Sequence, residues 1–532
     1  MANVAANDFK RSTADPFEDI IGDFVYARQN LALFQHHDGI TGTAKDFVVK
    51  DYANRMYRSF GILEKVASAS LQAIAANQVG QKSLDLKSAP LSLEFMERFP
   101  SESTPLRKKI FSLGSGEKHY FVLYNSLGWT QESQVFCFAV NWTSGAMPTD
   151  WCLSQSGSGQ IIDDLQINHI WSMEQLVENQ REICFQPSLS AVSLEQFCLG
   201  DCRCGDQEQT LATLYQKKES FVTLYNSHKR QASTVPTDSH ILSKMAPPPK
   251  ENLTIENERV QLKFDAESGL LKRISILDPV AGADWIHLDA KAQLMTYGTR
   301  KGGKSVPKSG AYLFLPDGDD PKPWNAFGKP IIRVTSGRIE SRYELILSEP
   351  LSMYIRFSLY RGRRSVELTT EFHLMGLYAA NRELMMRFEV PAIENHDRFY
   401  TDLNGFQMIG RKWYSKIPLQ GNVYPLNTMA FFEGLHKGQN LRFNIISGQP
   451  LGVTSSKTGT FDVFLDRRLT QDDARGLNQG VIDNKRTRET FRLLIEQPSA
   501  AVSVDNPKQT SGAMFESQSL LNPIIGMASS GP

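Results

Sequence analysis

The organisation of this 532-residue chain follows from one stretch, Leu31-Ala-Leu-Phe-Gln-His-His-Asp-Gly-Ile-Thr-Gly-Thr43. Over residues 17–35, up to the polar residues His36, His37 and Asp38, apolar residues recur at helical spacing. After the glycines, Thr43-Ala-Lys-Asp46 has the form of a helix N-cap with an acidic residue at the third helical position, and apolar spacing continues to Ile74. The sequence therefore predicts two helices within residues 16–80, joined by a short corner that contains glycine.

The corner carries an unusual polar cluster, His36, His37 and Asp38. Such a cluster is either a metal or sugar site, or a polar helix corner with no further role. Imidazole and carboxylate groups suit zinc, but two or three of them do not complete a zinc site. The residues alone leave these alternatives open.

Beyond about residue 80 the pattern changes from helical to strand-like. Short apolar runs alternate with turn residues, and Asp265-Ala-Glu-Ser-Gly269 separates two of them as a hairpin turn would. Strands alternating with helices are not apparent, which favours antiparallel pairing. We expect an α+β fold in which a helical bundle is followed by a large antiparallel β-sandwich region. The predicted strands are His119–Tyr124, Val135–Val140, Val260–Phe264, Leu270–Ile276, Leu351–Tyr360, Ser365–Phe372 and Thr460–Leu465.

These patterns predict three regions. Residues 1–95 form a helical domain, residues 96–249 a β-rich region, and residues 250–532 a C-terminal β-sandwich region that is truncated at its end. Within the second region, residues 145–245 are rich in Gln, Ser and Cys. We expect an irregular insert there, either a lineage-specific loop or retained intronic sequence.

Charge and hydropathy exclude two classes of function. Lys plus Arg and Asp plus Glu both number 58, so the chain has no global basic field for nucleic acid. No apolar run reaches the roughly 18 residues expected of a membrane span, and the residues after Met1 have no signal-peptide apolar region. We therefore expect a globular protein that binds no nucleic acid, with no signal or anchor in this chain and an oligomeric state that the sequence does not indicate.

The cysteines and two short motifs bear on the compartment. The even number of cysteines permits disulfides in a lumenal setting, and their spacing is not standard for zinc, so disulfides or incidental thiols are favoured over a metal knuckle. Asn141-Trp-Thr and Asn252-Leu-Thr are N-glycosylation sequons, which fit a secretory-pathway protein. The six cysteines are Cys137, Cys152, Cys184, Cys198, Cys202 and Cys204.

The corner resembles a signature of a known family. Phe34-Gln-His-His-Asp-Gly-Ile-Thr-Gly-Thr-Ala-Lys-Asp46, followed by Asp51-Tyr, is similar to glycoside hydrolase family 38, the retaining, zinc-dependent α-mannosidases, and in form to its Golgi α-mannosidase II branch. The family more often has alanine where this chain has Gly39, and we expect that glycine to loosen the corner. Further blocks similar to the family are 297–300, 308–318, 400–407, 416–425, 465–480 and 483–486.

The resemblance implies roles for particular residues. His37 would supply one zinc ligand, and Asp38 would hydrogen-bond the mannose ring. Tyr312 is similar to a family tyrosine that reaches into the sugar site, although a strand aromatic packed in a core is the alternative. One arginine of Arg467, Arg468 and Arg475 would also face the site, and we assign Arg467. The alternative is that Asp466-Arg-Arg468 and Asp472-Asp473 form a polar turn held by salt bridges.

The same resemblance implies that the chain lacks catalytic residues of its own. Family members carry a His-x-Asp zinc pair, a nucleophilic Asp and an acid/base Asp in a domain ahead of the His-His-Asp motif, but the first histidine here is His36. A retaining glycosidase needs two carboxylates about 5 Å apart. We therefore expect an α-mannosidase of N-glycans in the Golgi lumen that is inactive without this domain, or alternatively a non-catalytic glycan-binding or degenerate paralogue.

Overall fold

The computed structural model contains three α-helices and thirty-two β-strands within the residues it describes. The helices are α1 (Glu18–Phe34), α2 (Asp46–Asn77) and α3 (Ser511–Leu521). The described residues are 18–77, 93–98, 107–114, 116–143, 145, 147–148, 151–172, 175–201, 221–225, 243–246, 251–278, 284–300, 307–324, 330–347, 353–375 and 379–529.

The strands account for most of the regular structure. The first ten strands are β1 (Leu93–Phe95), β2 (Glu97–Arg98), β3 (Arg107–Lys108), β4 (Ile110–Ser112), β5 (Lys118–Tyr124), β6 (Phe136–Asn141), β7 (Trp151–Gln155), β8 (Leu165–Ser172), β9 (Gln175–Phe185) and β10 (Leu194–Asp201). The next eleven are β11 (Phe221–Tyr225), β12 (Ser243–Ala246), β13 (Leu253–Glu256), β14 (Val260–Phe264), β15 (Leu271–Leu277), β16 (Trp285–Asp289), β17 (Lys291–Gly298), β18 (Lys322–Pro323), β19 (Ile331–Ser336), β20 (Glu340–Leu347) and β21 (Met353–Tyr360). The last eleven are β22 (Val366–Phe372), β23 (Arg382–Glu389), β24 (Arg398–Leu403), β25 (Gln407–Lys412), β26 (Tyr424–Leu426), β27 (Met429–His436), β28 (Gln439–Ser447), β29 (Leu451–Thr454), β30 (Thr460–Arg468), β31 (Thr487–Glu496) and β32 (Ile525–Ser529).

The chain divides into two compact units. The first comprises residues 1–171, 176–219 and 523–532, and the second comprises residues 172–175 and 220–522.

The first unit contains the helix pair, two larger sheets and the two-stranded sheet β2-β3. Helices α1 and α2 pack together through Asn30, whose amide donates to the Ser59 hydroxyl at 3.2 Å, and through an edge-to-face contact of Phe34 with Tyr52. The two predicted helices are thus confirmed over the described residues. The resemblance implies a three-helix bundle, but a third helix in residues 78–92 would lie outside the described part of the chain.

The two larger sheets of the first unit form a sandwich. One has the strand order β1-β32-β5-β10-β7 and the other β4-β6-β9-β8. Their facing side chains share one core, in which Phe121 and Phe197 stack while Phe138 and Phe185 lie opposite from the second sheet. β5 and β6 confirm the two strands predicted for this part of the chain.

The expectation of an irregular insert at 145–245 is wrong for residues 151–201, which form the four strands β7 to β10. Their buried apolar positions were hidden among Gln, Ser and Cys, which occupy much of the rest of each strand. Cys137 and Cys184 are register partners across β6 and β9 and form a disulfide. Cys152 is also disulfide-bonded, and Cys198 remains a thiol. Cys202 and Cys204 lie outside the described residues.

The second unit is built on an eleven-stranded sheet with the order β12-β11-β19-β20-β21-β22-β31-β28-β27-β24-β25. A four-stranded sheet (β13-β14-β15-β16) and a six-stranded sheet (β18-β17-β23-β30-β29-β26) share one core with it. The predicted hairpin is confirmed as β14 and β15, and the predicted pair after it as β21 and β22. The predicted antiparallel sandwich is therefore confirmed. Within the described part of the chain, β4 pairs with β6 and β11 with β12 in parallel.

Strand β30 is longer than predicted and positions a functional segment. Its pairing with β23 shifts register between Leu384 and Met385, where Leu384 faces Asp466 and Met385 faces Phe464. Beyond this irregularity the strand runs on to Arg468, so that Arg467 lies opposite Glu383.

None of the described helices combines the length and hydropathy that crossing a bilayer requires.

Candidate functional site

The His-His-Asp cluster lies in a tight corner between α1 and α2. The backbone turns through hydrogen bonds from the Gly39 N–H to the His36 carbonyl at 2.8 Å and from the Gly42 N–H to the Gly39 carbonyl at 3.1 Å. Gly42 has a φ of 69°, a left-handed conformation that glycine adopts without strain. The corner is thus a defined turn, in the first unit of the chain.

The expectation that Gly39 loosens this corner is wrong. A Cβ atom at Gly39 would lie only 2.6 Å from the Phe34 carbonyl oxygen, which is backbone and has little room to move. The glycine therefore allows the chain to turn back onto the end of α1 more closely than alanine would. The sequence comparison alone gave no sign of this close approach.

Three groups converge on the Asp38 carboxylate. The Thr43 hydroxyl donates to Oδ1 at 2.8 Å, and Nε2 of His36 and of His37 lie 3.4 and 3.3 Å from Oδ2. The hydrogen bond from Thr43 is the largest cause that holds the pKa of Asp38 below its usual range, and the two imidazoles lower it further while partial burial opposes them. Asp38 is therefore an anion at neutral pH, ready to accept hydrogen bonds or to bind a cation.

The corner suits a metal ion in part. Its three donor atoms lie within 4.8 Å of one another. Ligands of tetrahedral zinc at roughly 2.0–2.1 Å lie about 3.3 Å apart, which matches the two separations of 3.3 and 3.4 Å from the Asp38 Oδ2. The His37 side chain is 83% exposed, so its imidazole is open to an ion or a ligand. The corner therefore fits zinc only as a partial site, and most ligands of a complete site would come from outside it.

A second group of predicted residues meets in the second unit, in the loop of residues 309–318, which we call the tyrosine loop. Asp473, only 5% exposed, accepts the backbone N–H groups of Tyr312 and Leu313 on one carboxylate oxygen, both at 2.8 Å. Gly310 packs directly on Asp473, because a Cβ there would lie 2.5 Å from the Asp473 backbone nitrogen. The loop is thereby fixed, and the Tyr312 side chain, 45% exposed, projects from it.

Arg467 fastens the same loop from strand β30. Its guanidinium donates to the Ala311 carbonyl at 2.7 Å and to the Gly310 carbonyl at 3.3 Å. The Gln471 amide adds a hydrogen bond to the Ser309 carbonyl at 2.9 Å. The structure thus brings Tyr312 and Arg467 together, as two of the predicted site residues, and places Arg467 behind the backbone that carries Tyr312.

The other two candidate arginines are placed differently. Arg468 donates to the Ile482 carbonyl at 3.2 Å and to the Asn484 side chain at 3.1 Å. Arg475 is exposed. Arg467 is therefore the arginine that contacts the tyrosine loop through the hydrogen bonds above.

Two buried carboxyl groups lie near Arg467, those of Glu383 on β23 and Asp466 on β30. Burial raises the pKa of Glu383, 5% exposed, to about 7, and that of Asp466 on β30 to about 6. For Glu383 the guanidinium of Arg467 opposes the rise, while the carboxyl of Asp466 adds to it. Burial also raises the pKa of Glu489 well above its ordinary value. The Arg467 guanidinium lowers the pKa of both Glu383 and Asp466 and so opposes the effect of burial on each carboxyl group.

Sequence reasoning missed the role of Asp473. The alternative interpretation gave Asp472 and Asp473 to a polar turn held by salt bridges, but the Asp473 carboxylate instead accepts backbone N–H groups from residues about 160 positions earlier. The only available signal was the Gly310 position directly before Ala311 and Tyr312, since a glycine often marks a close approach of two chain segments.

Two family models match the chain, one around the corner and the other around the tyrosine loop. Residues 9–74 match the model of the alpha mannosidase middle domain, and residues 255–475 match that of the glycosyl hydrolases family 38 C-terminal domain. The corner lies within the first match, and Tyr312, Arg467 and Asp473 lie within the second. The chain therefore belongs to glycosyl hydrolase family 38, of which it carries the middle and the C-terminal domain.

Curated relatives agree with this family membership, and a solved structure agrees with the fold. The chain is 34% identical over 509 residues to alpha-mannosidase 2 of Homo sapiens and 32% identical over 517 residues to alpha-mannosidase 2 of Arabidopsis thaliana, with 94% of the chain aligned in each case. Identity to the lysosomal alpha-mannosidase of Homo sapiens is 24% over 485 residues, with 87% of the chain aligned and 40% of that relative. The crystal structure of an alpha-mannosidase from Enterococcus faecalis V583 superposes with a TM-score of 0.59 at 13% identity, covering 99% of this chain and 55% of that one, and supports the fold.

The relatives are much longer than this chain. It spans 40% of the length of the human alpha-mannosidase 2 and 39% of that of the Arabidopsis protein. The relatives named here are all α-mannosidases, so they do not favour the alternative of a non-catalytic paralogue. The chain is more similar in sequence to the alpha-mannosidase 2 proteins than to the lysosomal alpha-mannosidase, which agrees with the predicted branch of the family.

Proposed function

We propose that this chain forms the middle and C-terminal parts of a retaining, zinc-dependent α-mannosidase that acts on mannose-containing N-glycans in the Golgi lumen. The observation that carries the proposal is the convergence of Thr43, His36 and His37 on the Asp38 carboxylate, within the matched middle domain. The mannoside substrate is inferred from the alpha-mannosidase relatives. The N-glycan and the Golgi lumen are inferred from the resemblance of the corner to the Golgi branch of the family and from the two sequons.

Each site residue has a proposed role. His37, the most exposed donor of the corner, would ligate zinc, and zinc, when bound, would orient sugar hydroxyls as a Lewis acid. Asp38 would accept hydrogen bonds from the mannose ring, since the bond from Thr43 fixes one of its oxygens and lowers its pKa. Tyr312 would contact the sugar directly. Arg467 would serve substrate binding by holding the backbone on both sides of Ala311, next to that tyrosine.

The cleavage chemistry requires groups beyond these. Retaining glycosidases use a nucleophilic carboxylate and an acid/base carboxylate about 5 Å apart, and the corner offers one carboxylate that is already engaged by Thr43. We infer that both catalytic carboxylates, and the remaining zinc ligands, belong to a domain outside this chain. The chain alone would therefore bind but not hydrolyse mannosides.

Zinc binding tests the metal assignment. We expect weak binding by the isolated chain, because most ligands of a complete site are missing. His37→Gln should weaken it further, whereas His36→Gln, the matched control, should have a smaller effect. Competition with a chromophoric chelator measures both affinities. Zinc affinity typical of a complete site in this chain, or a larger effect of His36→Gln, would contradict the assignment.

A chimera tests the activity itself. We would replace the matching region of the human alpha-mannosidase 2 with this chain and assay hydrolysis of an aryl α-mannoside. The chimera should be active, and Asp38→Asn and Tyr312→Phe should each reduce kcat/KM at least tenfold without lowering the melting temperature. A folded chimera with no activity, or with activity that ignores both substitutions, would refute the proposal.

A further inference from the structure

The sequon Asn252-Leu-Thr254 overlaps the start of strand β13. Successive side chains of an extended segment point to opposite faces, so Asn252 and Thr254 lie on one face. On the other face, Leu253 packs against the core of the second unit and Ile255 is 2% exposed. The alternation therefore turns both polar residues of the sequon outward, and Thr254 is exposed while Asn252 is half-buried.

One hydrogen bond orients the Asn252 amide. Its Oδ1 accepts the Ala266 N–H at 3.2 Å. A backbone N–H can donate to the carbonyl oxygen of an amide but not to its NH₂ group, so this bond fixes which end of the amide faces the protein. Nδ2 lies at the other end and makes no hydrogen bond to the part of the chain that the structure describes. The nitrogen that a glycan would occupy is thus directed away from Ala266.

The other sequon, Asn141-Trp-Thr143, is placed differently. Asn141 is the last residue of β6, which has β4 on one side and β9 on the other. Its Oδ1 is buried and has no hydrogen-bond partner among the described residues, and the adjacent Trp142 is 7% exposed. A glycan on Asn141 would start between two neighbouring strands and beside a buried ring. Asn252 is therefore the better acceptor, and Asn141 is its control within the same chain.

Strand β13 lies at one end of the sheet β13-β14-β15-β16. Among the described strands it has a neighbour on one side only, β14, with Thr254 opposite Lys263. The other side of such a strand presents backbone groups that can pair with another chain. We call this side the open edge. A glycan is bulky and solubilising, and one attached directly before the strand would obstruct pairing there.

We infer that Asn252 carries an N-linked glycan, which shields the open edge of β13. The donor is an oligosaccharide linked to a lipid through a diphosphate. Nδ2 of Asn252 forms a bond to C1 of the first sugar, the bond from C1 to the diphosphate oxygen breaks, the lipid diphosphate leaves, and Nδ2 releases one proton. Oδ1 is unchanged, so its bond from Ala266 is kept. The inference rests on the proposed function, because this transfer takes place in the secretory pathway.

Peptide mass spectrometry of the full chain tests the site. A cleavable signal peptide directs the chain into the secretory pathway of cultured eukaryotic cells. A peptide N-glycosidase in water labelled with heavy oxygen then converts each glycosylated asparagine into labelled aspartate. We expect the label at Asn252 and not at Asn141. An unlabelled Asn252 would overturn the inference, whereas label at both positions would support it and contradict only the contrast with Asn141.

Substitutions at Thr254 provide a second readout. Thr254→Ala removes the sequon but keeps Asn252, so treatment with the glycosidase should no longer shift the gel mobility of this variant. Thr254→Ser keeps the sequon and should shift as the wild type does. Asn141→Gln, the control at the other sequon, should retain the shift as well. An undiminished shift of Thr254→Ala would overturn the inference.

Aggregation tests the shielding of the open edge. The secreted Thr254→Ala variant, which lacks the glycan, should aggregate faster than the secreted Thr254→Ser variant, as measured by light scattering. The same two variants produced in bacteria without the glycan should aggregate equally, which separates the effect of the glycan from that of the side chain. Equal aggregation of the two secreted variants would overturn the role at the edge.

The outcomes separate this inference from the proposed function. If Asn252 is unmodified in the chain directed by the signal peptide, the glycan is refuted and the mannosidase proposal stands, because zinc binding and the chimera do not depend on it. If Asn252 is modified in that chain but unmodified in the protein purified from its native cells, the compartment in the proposed function is refuted, and with it the glycan on the native protein.

Discussion

The carboxylate of Asp473 accepts the backbone N–H of Tyr312 at 2.8 Å, across 161 residues of sequence. The same oxygen accepts the next N–H, that of Leu313, also at 2.8 Å. This pair of bonds ties the segment after β30 to the tyrosine loop. Asp473 is therefore a positioning residue for Tyr312, because it acts on the loop backbone and not on the sugar.

Removal of this carboxylate should loosen the loop. Asp473→Ala leaves two backbone N–H groups without their acceptor in a place that is 5% exposed, so we expect a loss of about 2–3 kcal/mol in the free energy of unfolding. Asp473→Asn keeps one acceptor oxygen and should lose less. Urea denaturation measures both variants. Equal losses for the two would show that the negative charge, and not the acceptor, stabilises the loop.

Gly310 should be intolerant of any side chain. A Cβ there would lie 2.5 Å from both the backbone nitrogen and the Cβ of Asp473, so Gly310→Ala should destabilise the second unit by about 1–3 kcal/mol through overpacking. Gly318→Ala is the matched control in the same loop, because a Cβ added at Gly318 would meet nothing within 4 Å. Thermal unfolding of both variants checks this, and similar melting temperatures would contradict the close packing.

Replacing each of two glycines of the helix pair with alanine should change the free energy of unfolding in opposite directions. Gly39→Ala places a Cβ 2.6 Å from the Phe34 carbonyl oxygen and should destabilise the corner by about 1–3 kcal/mol. Gly22→Ala lies within α1 with nothing within 4 Å, and should stabilise the helix by roughly 0.5–1 kcal/mol. Denaturant unfolding followed by circular dichroism measures both. A stabilising Gly39→Ala would show that the corner relaxes to the form with alanine.

The sequence predicted regular elements better than it predicted the contacts between them. Helical spacing identified α1 and α2, and alternation with a turn identified β14 and β15, because these patterns are local. The strands of 151–201 were missed, since polar residues and cysteines occupy much of their length and obscure the buried positions.

In the candidate site as well, the features that depend on neighbouring residues could be predicted, and those that depend on distant contacts could not. His36, His37 and Asp38 are adjacent in sequence, so their convergence was predictable from the residues. The hydrogen bonds of Asp473 to the tyrosine loop depend on how β17 and β30 flank β23 in one sheet, and no local pattern contains that information. The restraint at Gly39 likewise depends on a backbone oxygen and not on a side chain.

Stability of the first unit should fall in mild acid because of His169. Both ring nitrogens are buried without a hydrogen-bond partner among the described residues, and burial, with Arg181 nearby, lowers the pKa of this imidazole from 6.5 to about 4. The unfolded chain therefore binds the proton first, and stability is lost as pH falls from about 6.5 toward 4, by up to about 3 kcal/mol. Urea denaturation at pH 7 and pH 4.5 measures the loss. His169→Leu should remove this pH dependence, whereas His119→Gln in the same unit should keep it.

Stability of the second unit should change in the opposite direction because of Glu383. Burial raises the pKa of this carboxyl from 4.5 to about 7, with the neighbouring Asp466 adding to the rise. The folded state thus holds a proton that the unfolded chain releases, so the stabilising effect is complete below about pH 4.5 and is lost as pH rises through 7. Glu383→Gln should stabilise the unit at pH 7.5 by up to about 3 kcal/mol and have little effect at pH 4.5. Glu394→Gln, at an exposed position, should be neutral at both. Calorimetric scans at the two pH values measure the difference, and a Glu383→Gln variant that is equally stabilised at both would mean that the carboxyl is not protonated in the folded unit.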